Sequence, residues 1–413
     1  MNKRPSSVAV AAPVLALKTC RATGGRALPG TAAARCPPKI ALLLTGGIHQ
    51  SPHLLPLAKE LRDIGAVVHV ITLDPETAGF CRDFLLDAEL GDVPVLELKA
   101  GLPGKLIRLF ASASRLKRLR LIRATWYLRG FDAIVVAERT STALRRYRLI
   151  DRPIIHIPHG AGDRRVGFDI RARAYDFHIV SGQKDRDRFI SERIATAANI
   201  AVSGSIKLAS MHRPTLPPAR LFQQDRPVIL YTPHFEPSLS SWYRIGLDLL
   251  QKLAEDGRYN VIFAPHIRLR EKLSPADIAC IEGLASQTCH IDLGSAKCCD
   301  LTYTAMADIY LGDVSSQVYE FLVRPRPCVF LNTIGAVVQD NPDFQMWLLG
   351  QVVSDTAGAL RALARATCHH PEFIGLQRAA FQQSMGHNWS EAPRLAARQI
   401  ADFLAWRHHI QPA

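Results

Sequence analysis

Short apolar runs that end in polar or glycine-rich turns, separated by stretches of helical period, constrain this chain more than any other feature. Ile40-Ala-Leu-Leu-Leu44 stops at Thr45-Gly-Gly47. Pro52 then opens a helical stretch through Leu54, Leu57, Ala58 and Leu61, closed by Gly65, and Val67-Val-His-Val-Ile-Thr72 follows as a second apolar run. Continuous apolar runs suit strands covered on both faces, so strand, turn, helix and strand predict a βαβ unit of a parallel sheet. The alternation continues with strands over Phe131–Ala137, Pro153–Ile157, Phe177–Ser181 and Ile200–Ser203, and helices over Thr140–Leu149 and Asp185–Ile194.

The rhythm breaks at Met211-His-Arg-Pro-Thr-Leu-Pro-Pro218, which is proline-dense as a hinge tends to be. A second alternating set follows: strand Val228–Tyr231, helix Trp242–Glu255, strand Val261–Ala264, strand Ala307–Leu311, helix Ser315–Leu322 and strand Cys328–Leu331. At 413 residues the chain is too long for one ordinary core. The expectation is an α/β protein with two Rossmann-like parallel-sheet domains facing an interdomain cleft. The first spans 39–209, a linker 210–226, the second 227–388, and a helical segment at 389–413 packs back on them. Residues 1–38 read as a disordered or processed extension. Met1-Asn-Lys-Arg and Val8–Leu17 have the outline of a secretory signal, but Lys18, Arg21, Arg26 and Arg35 follow without a small-x-small cleavage site directly behind the apolar part. A signal peptide and a transit peptide are the alternatives.

The formal net charge of +14 favours polyanionic partners without choosing among them. No recognised nucleic-acid module accompanies it, so no nucleic-acid partner is expected. The nine cysteines are scattered, with no C-x-x-C pair, which argues against a zinc ribbon or a disulfide framework and fits a reducing, cytoplasmic setting. No run approaches the roughly 18 apolar residues of a membrane span. Between Gly104 and Gly130, however, eight basic residues and no acidic one are interleaved with Leu106, Phe110, Leu116, Leu119, Ile122 and Trp126. Such a segment can lie on an anionic membrane surface, which would put the protein on the inner face of the plasma membrane. The alternative is a surface helix whose apolar side covers the sheet while its arginines are solvated.

The strongest chemical signal is Asp308-Ile-Tyr-Leu-Gly-Asp-Val-Ser-Ser316, followed by Glu320. A strand ending at Gly312 and a helix beginning near Ser315 leave free backbone N–H groups for a phosphate. Ser315 or Ser316 can cap the helix and bond a phosphate oxygen, and Glu320 can reach a nucleotide's sugar hydroxyls. In Ile157-Pro-His-Gly-Ala-Gly-Asp163, His159 follows a strand and precedes two glycines, so it projects into the cleft with a pKa suited to taking a hydroxyl proton. His156, on the strand itself, suits a structural role. His266 and Arg268, in Ala264-Pro-His-Ile-Arg268, are candidate cationic groups facing a leaving phosphate. Tyr231-Thr-Pro-His234 and Ser203-Gly-Ser-Ile-Lys207 follow strands in the same way. Each motif alone equally suits a helix cap or a hydrogen-bonded loop; five polar turns at carboxyl ends of predicted strands weigh more together. His49 and His53 lie four apart, but Pro52 between them argues against a helical metal pair, and no metal site is expected.

His159-Gly160, Gly204 with Lys207, Tyr231-Thr-Pro233, His266 and Asp313-Val-Ser-Ser316 occur in the order and approximate spacing of the CDP-glycerol glycerophosphotransferase family. The chain resembles that family well over residues 150–335 and only in general form before them. The resemblance implies a GT-B fold like that of teichoic-acid polymerases, with His159 as general base. It implies donor-phosphate contacts from His266, Ser315 and Ser316. With them Gly204, Lys207, Thr232, Arg268, Asp313 and Glu320 are expected on the donor side, and Gly46, Gly47, Gly160 and Arg164 on the acceptor side. The implied reaction is attack by a hydroxyl of a polymer or lipid-linked acceptor on the donor's β-phosphorus, releasing CMP without metal or cofactor, the CDP-linked donor being a substrate. The chain departs from the family at Ile267, where a Pro is usual, at His234-Phe235, and at Leu208-Ala209, where an Asp is common. Those departures leave open a sugar nucleotide as donor, or a non-catalytic nucleotide-binding protein.

Overall fold

The structure is a computed structural model that describes residues 36–98, 113–212, 221–339 and 341–410. The first sheet contains β1 (Lys39–Leu44), β2 (Val67–Thr72), β3 (Val95–Glu97), β4 (Ala133–Val136), β5 (Ile154–His156), β6 (Phe177–Val180) and β7 (Ile200–Val202). The second contains β8 (Val228–Thr232), β9 (Asn260–Phe263), β10 (Cys289–Ile291), β11 (Ile309–Gly312), β12 (Cys328–Leu331) and β13 (Gln351–Val353). Every pairing is parallel, and the strand orders are β3-β2-β1-β4-β5-β6-β7 and β10-β9-β8-β11-β12-β13. Both are doubly wound. The order reverses between β1 and β4 in one lobe and between β8 and β11 in the other, and crevices open outside the carboxyl ends of the strands at such reversals.

The continuous apolar runs are buried on both faces. Ala41 and Leu43 pack with Ile134 and Val136 on one side of the first sheet, Leu42 and Leu44 with Val70 and Val135 on the other. The strands that the apolar pattern does not announce, β3, β10 and β13, are three-residue edge strands with partly exposed side chains. An edge strand has one neighbour and little cover, so it needs no apolar run.

The C-terminal helix Ala392–Ile410 lies against the first lobe, where Ala396, Ile400 and Phe403 join Leu57, Leu61 and Phe177 in one core. Phe403 stacks on Phe177 at 4.7 Å, and Arg407 pairs with Asp176 at 2.9 Å. Of the proline-dense 210–226 segment, residues 213–220 lie outside the described residues, as do 1–35 and 99–112. In the basic segment the helix Ala113–Leu128 is described. Its Leu121, Ala124 and Leu128 face the sheet, while Leu119, Ile122 and Trp126 are exposed, Trp126 by 84%. The expectation that the apolar positions either cover the sheet or face outward is answered by a division: they do both. Among the described residues no helix is long and apolar enough to cross a membrane.

Polar contacts join the lobes. The carboxylate of Asp163, itself buried, accepts from the Tyr319 hydroxyl at 2.7 Å and the Met346 N–H at 2.9 Å, and pairs with Lys184 at 2.6 Å. Arg188 pairs with Asp343 at 2.9 Å.

Candidate active site

The turns after β1, β4, β5, β8, β9 and β11 converge between the lobes around two adjoining hollows. His159, just after β5, lines both. Its Nδ1 lies 2.8 Å from the carbonyl oxygen of Ala137, at the end of β4. A carbonyl only accepts, so Nδ1 carries the hydrogen and Nε2 keeps a lone pair. The ring is open to the cleft yet sits deep between the lobes, and desolvation there lowers its pKa below the usual value despite the Ala137 carbonyl. In its neutral form His159 therefore has one defined basic nitrogen, Nε2.

His266, after β9, is oriented the opposite way. Its Nδ1 accepts from the backbone N–H of Arg268 at 3.2 Å, so Nε2 carries the hydrogen and can donate. Burial, with His234 and Arg268 adding to it, pulls its pKa down to about 3. The expected cationic form of His266 is disfavoured here, by burial first and by the neighbouring positive charges second.

Five histidines line the first hollow: His49, His53, His159, His234 and His266. The His49 ring lies 5.6 Å from that of His159 and 6.3 Å from that of His266, and the His53 ring 6.5 Å from that of His159. His53 is buried, and desolvation, then the charge of Lys207, holds its pKa well below the usual value. Neither His49 nor His53 was expected here. Pro52 does argue against one helix carrying both; instead His49 lies in a short 3-10 turn and His53 in the following helical turn Ser51–Leu54. The signal available in the sequence was their position directly after β1, at the reversal of strand order. Among the described residues no group of His, Cys, Asp and Glu has the arrangement to hold a metal ion.

Opposite His159 stands the turn after β11. Ser315 Oγ accepts from the Gln317 N–H at 3.3 Å, whereas Ser316, which precedes the short helix Gln317–Phe321, makes no side-chain cap. A Cβ on Gly160 would stand 2.8 Å from Ser316 Oγ, and Gly160 has φ +91°. Glycine is what lets the His159-Gly160 turn meet the Ser315-Ser316 turn. Thr232 donates to Gln317 at 2.8 Å. Lys207 and Glu320, both buried, pair at 2.9 Å and line the first hollow together.

Four expected site residues lie elsewhere. Asp313 is fully buried beneath the site, where it accepts from the N–H groups of His234 at 2.8 Å and Ser241 at 2.9 Å and so fixes the loop after β8. Gly204 lies under the C-terminal segment, a Cβ there standing 2.7 Å from Trp389 Cα; a close backbone crossing, not a ligand, requires it. Gly46 and Gly47 form the turn after β1 but line neither hollow; they lead the chain to His49. Arg164 and Arg268 line the second hollow only. His156 is buried with its Nδ1 3.3 Å from that of His178, and it also lines the second hollow.

No family model matches the chain, and no curated protein sequence matches it. Solved structures do. UDP-GlcNAc 2-epimerase from Neisseria meningitidis, bound to UDP-GlcNAc, superposes with TM-score 0.58 at 15% identity, covering 88% of this chain and 100% of that one. S. aureus MnaA with UDP gives TM-score 0.62 at 12% identity, covering 91% and 98%. The wall teichoic acid polymerase TagF gives TM-score 0.56 at 14% identity, covering 90% of each chain. At these identities the likeness is one of fold, and the fold is GT-B-like, two Rossmann-like sheets with a site between them.

Proposed function

We propose that the chain is a transferase that moves a glycerol phosphate group from a CDP-linked donor to a hydroxyl of a surface-polymer or lipid-linked acceptor. The observation that carries this reading is the His159 ring, held by the Ala137 carbonyl with Nε2 as the acceptor, across a glycine-permitted approach from Ser315 and Ser316. In this scheme the donor diphosphate rests on Ser315 and Ser316, and His266 donates from Nε2 to a phosphate oxygen. Lys207, Thr232 and Glu320 complete the donor side, the carboxylate of Glu320 facing sugar hydroxyls. The acceptor O–H gives its proton to His159 Nε2 as its oxygen forms a bond to the β-phosphorus. The bond from that phosphorus to the bridging oxygen breaks, and CMP leaves with the bridging oxygen. Neutral donors already oriented toward the developing charge lower the barrier without reorganising.

The TagF likeness supports this reading, and the epimerase likeness supports a second one: a sugar nucleotide as donor, with the same histidine activating a hydroxyl that attacks the sugar's anomeric carbon and releases a nucleoside diphosphate. A non-catalytic nucleotide-binding protein on the same scaffold would bind without turnover. A thermal-shift screen of CMP, CDP, UDP and GDP separates the two donors, and release of CMP from CDP-glycerol separates a transferase from the non-catalytic protein. Stabilisation by CMP and CDP supports the glycerol phosphate reading; stabilisation by UDP or GDP alone replaces it with the glycosyl one.

A further inference from the structure

We propose that Asp163 is a positioning residue whose buried carboxylate locks the turn carrying His159 to the turn carrying Ser315 and Ser316, so that base and phosphate cradle keep a fixed spacing. This rests on the transferase reading and adds to it the group that sets the geometry of the site.

Asp163 closes the turn that begins at His159, with only Gly160, Ala161 and Gly162 between them. Such a segment has almost no side chains of its own to hold it, and glycine leaves its backbone free. What holds it comes largely from the other lobe. Ala161 belongs to the apolar core of the second sheet, together with Val314, Tyr319 and Met346. The Asp163 carboxylate is 2% exposed, and its Oδ2 accepts from the Tyr319 hydroxyl at 2.7 Å and from the Met346 N–H at 2.9 Å. From the first lobe, Lys184 donates to Oδ1 at 2.6 Å and to the Ala161 carbonyl at 2.9 Å. Its ammonium also lies 4.0 Å from the centre of the Tyr319 ring.

Both partners from the second lobe adjoin the phosphate turn. Tyr319 lies three residues beyond Ser316, on the helix that this turn opens. Met346 reaches the turn from another side: its own N–H goes to Asp163, while the Ser315 N–H donates to its Sδ at 3.2 Å. One carboxylate therefore holds the phosphate turn at two points, through Tyr319 behind Ser316 and through Met346 at Ser315. The approach is close, since a Cβ on Gly162 would stand 3.5 Å from Ser316 Cβ. Hydrogen bonds to a charged acceptor are about twice as strong as neutral ones, so a buried carboxylate with several donors resists displacement. A shift of about 1 Å between reacting groups costs about 10²-fold in rate, so a lock at this point acts on catalysis as well as on the join between lobes.

The test compares Asp163→Asn and Tyr319→Phe with Asp343→Asn. Asp343 joins the lobes through Arg188 at 2.9 Å and the Arg165 N–H at 3.0 Å, outside both turns, so its loss reports the join alone. On the full chain, below its Tm, the measurements are kcat and KM for CMP release from CDP-glycerol, CMP affinity by calorimetry, and amide hydrogen exchange over 157–163 and 313–319. Asp163→Asn should lower kcat by about 30-fold or more and Tyr319→Phe by about fivefold, with CMP affinity within about threefold. Both should speed exchange in the two segments by about threefold or more, although Tyr319 lies in one lobe and His159 in the other. Asp343→Asn should lower Tm while kcat and exchange in both segments stay within about twofold. A kcat loss in Asp343→Asn equal to that in Asp163→Asn would assign the effect to the join and overturn the proposal. Unchanged exchange over 157–163 in Tyr319→Phe would overturn it too. Should Asp163→Asn not fold, Tyr319→Phe carries both comparisons. If the parent releases no CMP from CDP-glycerol, the transferase reading falls, and the exchange comparison still decides the lock.

Discussion

His159 and His266 face one hollow as opposite tautomers: His159 donates from Nδ1 to the Ala137 carbonyl, and His266 accepts at Nδ1 from the Arg268 N–H. One ring therefore presents a basic Nε2 and the other an Nε2–H donor. His159→Ala should lower turnover of CDP-glycerol by about 10²–10⁴-fold while CMP affinity changes little. His266→Ala should instead weaken the donor, by a few-fold to about tenfold for one neutral hydrogen bond. Turnover that survives His159→Ala, measured as CMP release, removes the base assignment.

The lowered pKa of His159 sets the pH profile. A base must be unprotonated to act, so kcat/KM should be flat from pH 8 to 7 and fall only at more acidic pH. A profile still climbing tenfold per pH unit above pH 7 would point to a different base.

Stability should follow the buried histidine pair. Burial pulls the His178 pKa down to about 4, and its Nε2 has no partner to receive a proton. The unfolded chain protonates near 6.5, so stability is complete above that value and is lost as pH falls from 6.5 toward 4. At pH 5 the loss from His178 alone is about 2 kcal/mol. His178→Phe should flatten the dependence of Tm on pH; an unchanged slope would assign acid lability elsewhere.

Asp163 is the main polar tie between the lobes. Asp163→Ala strands the Lys184 charge and the hydroxyl of Tyr319 and should cost about 3–5 kcal/mol. Tyr319→Phe removes one hydrogen bond to Asp163 and should cost about 1–2 kcal/mol. Equal losses in urea unfolding would mean that the phenol, not the carboxylate, holds the junction.

Gly160→Ala combines an unfavourable φ with the Ser316 Oγ clash and should cost about 1–3 kcal/mol. Adding Ser316→Ala removes the nearest atom, the next standing at 3.4 Å, and should recover the steric part. No recovery in the double variant would show that the backbone conformation carries the whole effect.

On the helix Ala113–Leu128, Leu119, Ile122 and Trp126 form an exposed apolar strip in a basic segment, and we propose it as a contact for an anionic membrane. Trp126→Ala should reduce sedimentation with vesicles containing phosphatidylglycerol. Equal binding of the parent protein to neutral and anionic vesicles at low salt would rule the contact out.

Ten of the thirteen strands among the described residues were legible, nine because a strand with neighbours on both sides and cover on both faces is apolar almost throughout, as in Ile40–Leu44 and Val228–Tyr231, and the edge strand β7 because Ile200-Ala-Val202 is apolar as well. The other edge strands, β3, β10 and β13, were not, because little covers them. Among the residues that line the hollows, His159, His266, Ser315 and Ser316 were readable from turns that end predicted strands. Asp313 and Gly204 sit in equally suggestive turns, but one turns inward to hold a loop and the other passes beneath Trp389. Asp163 carried no local signal, since its partners come from distant parts of the chain.

The sequence by itself determined two parallel sheets and the ends of their strands where polar turns gather, because hydrophobic period and turn chemistry are local properties. Only the tertiary structure decided which nitrogen of each histidine is basic. It also decided that His49 and His53 belong to the site and that Arg164 and Arg268 face a different hollow from Lys207 and Glu320. Those outcomes depend on three-dimensional placement: the Ala137 carbonyl comes from a neighbouring strand end, the Arg268 N–H from the folding of one turn back on itself, and the Lys207–Glu320 pair joins residues more than a hundred positions apart.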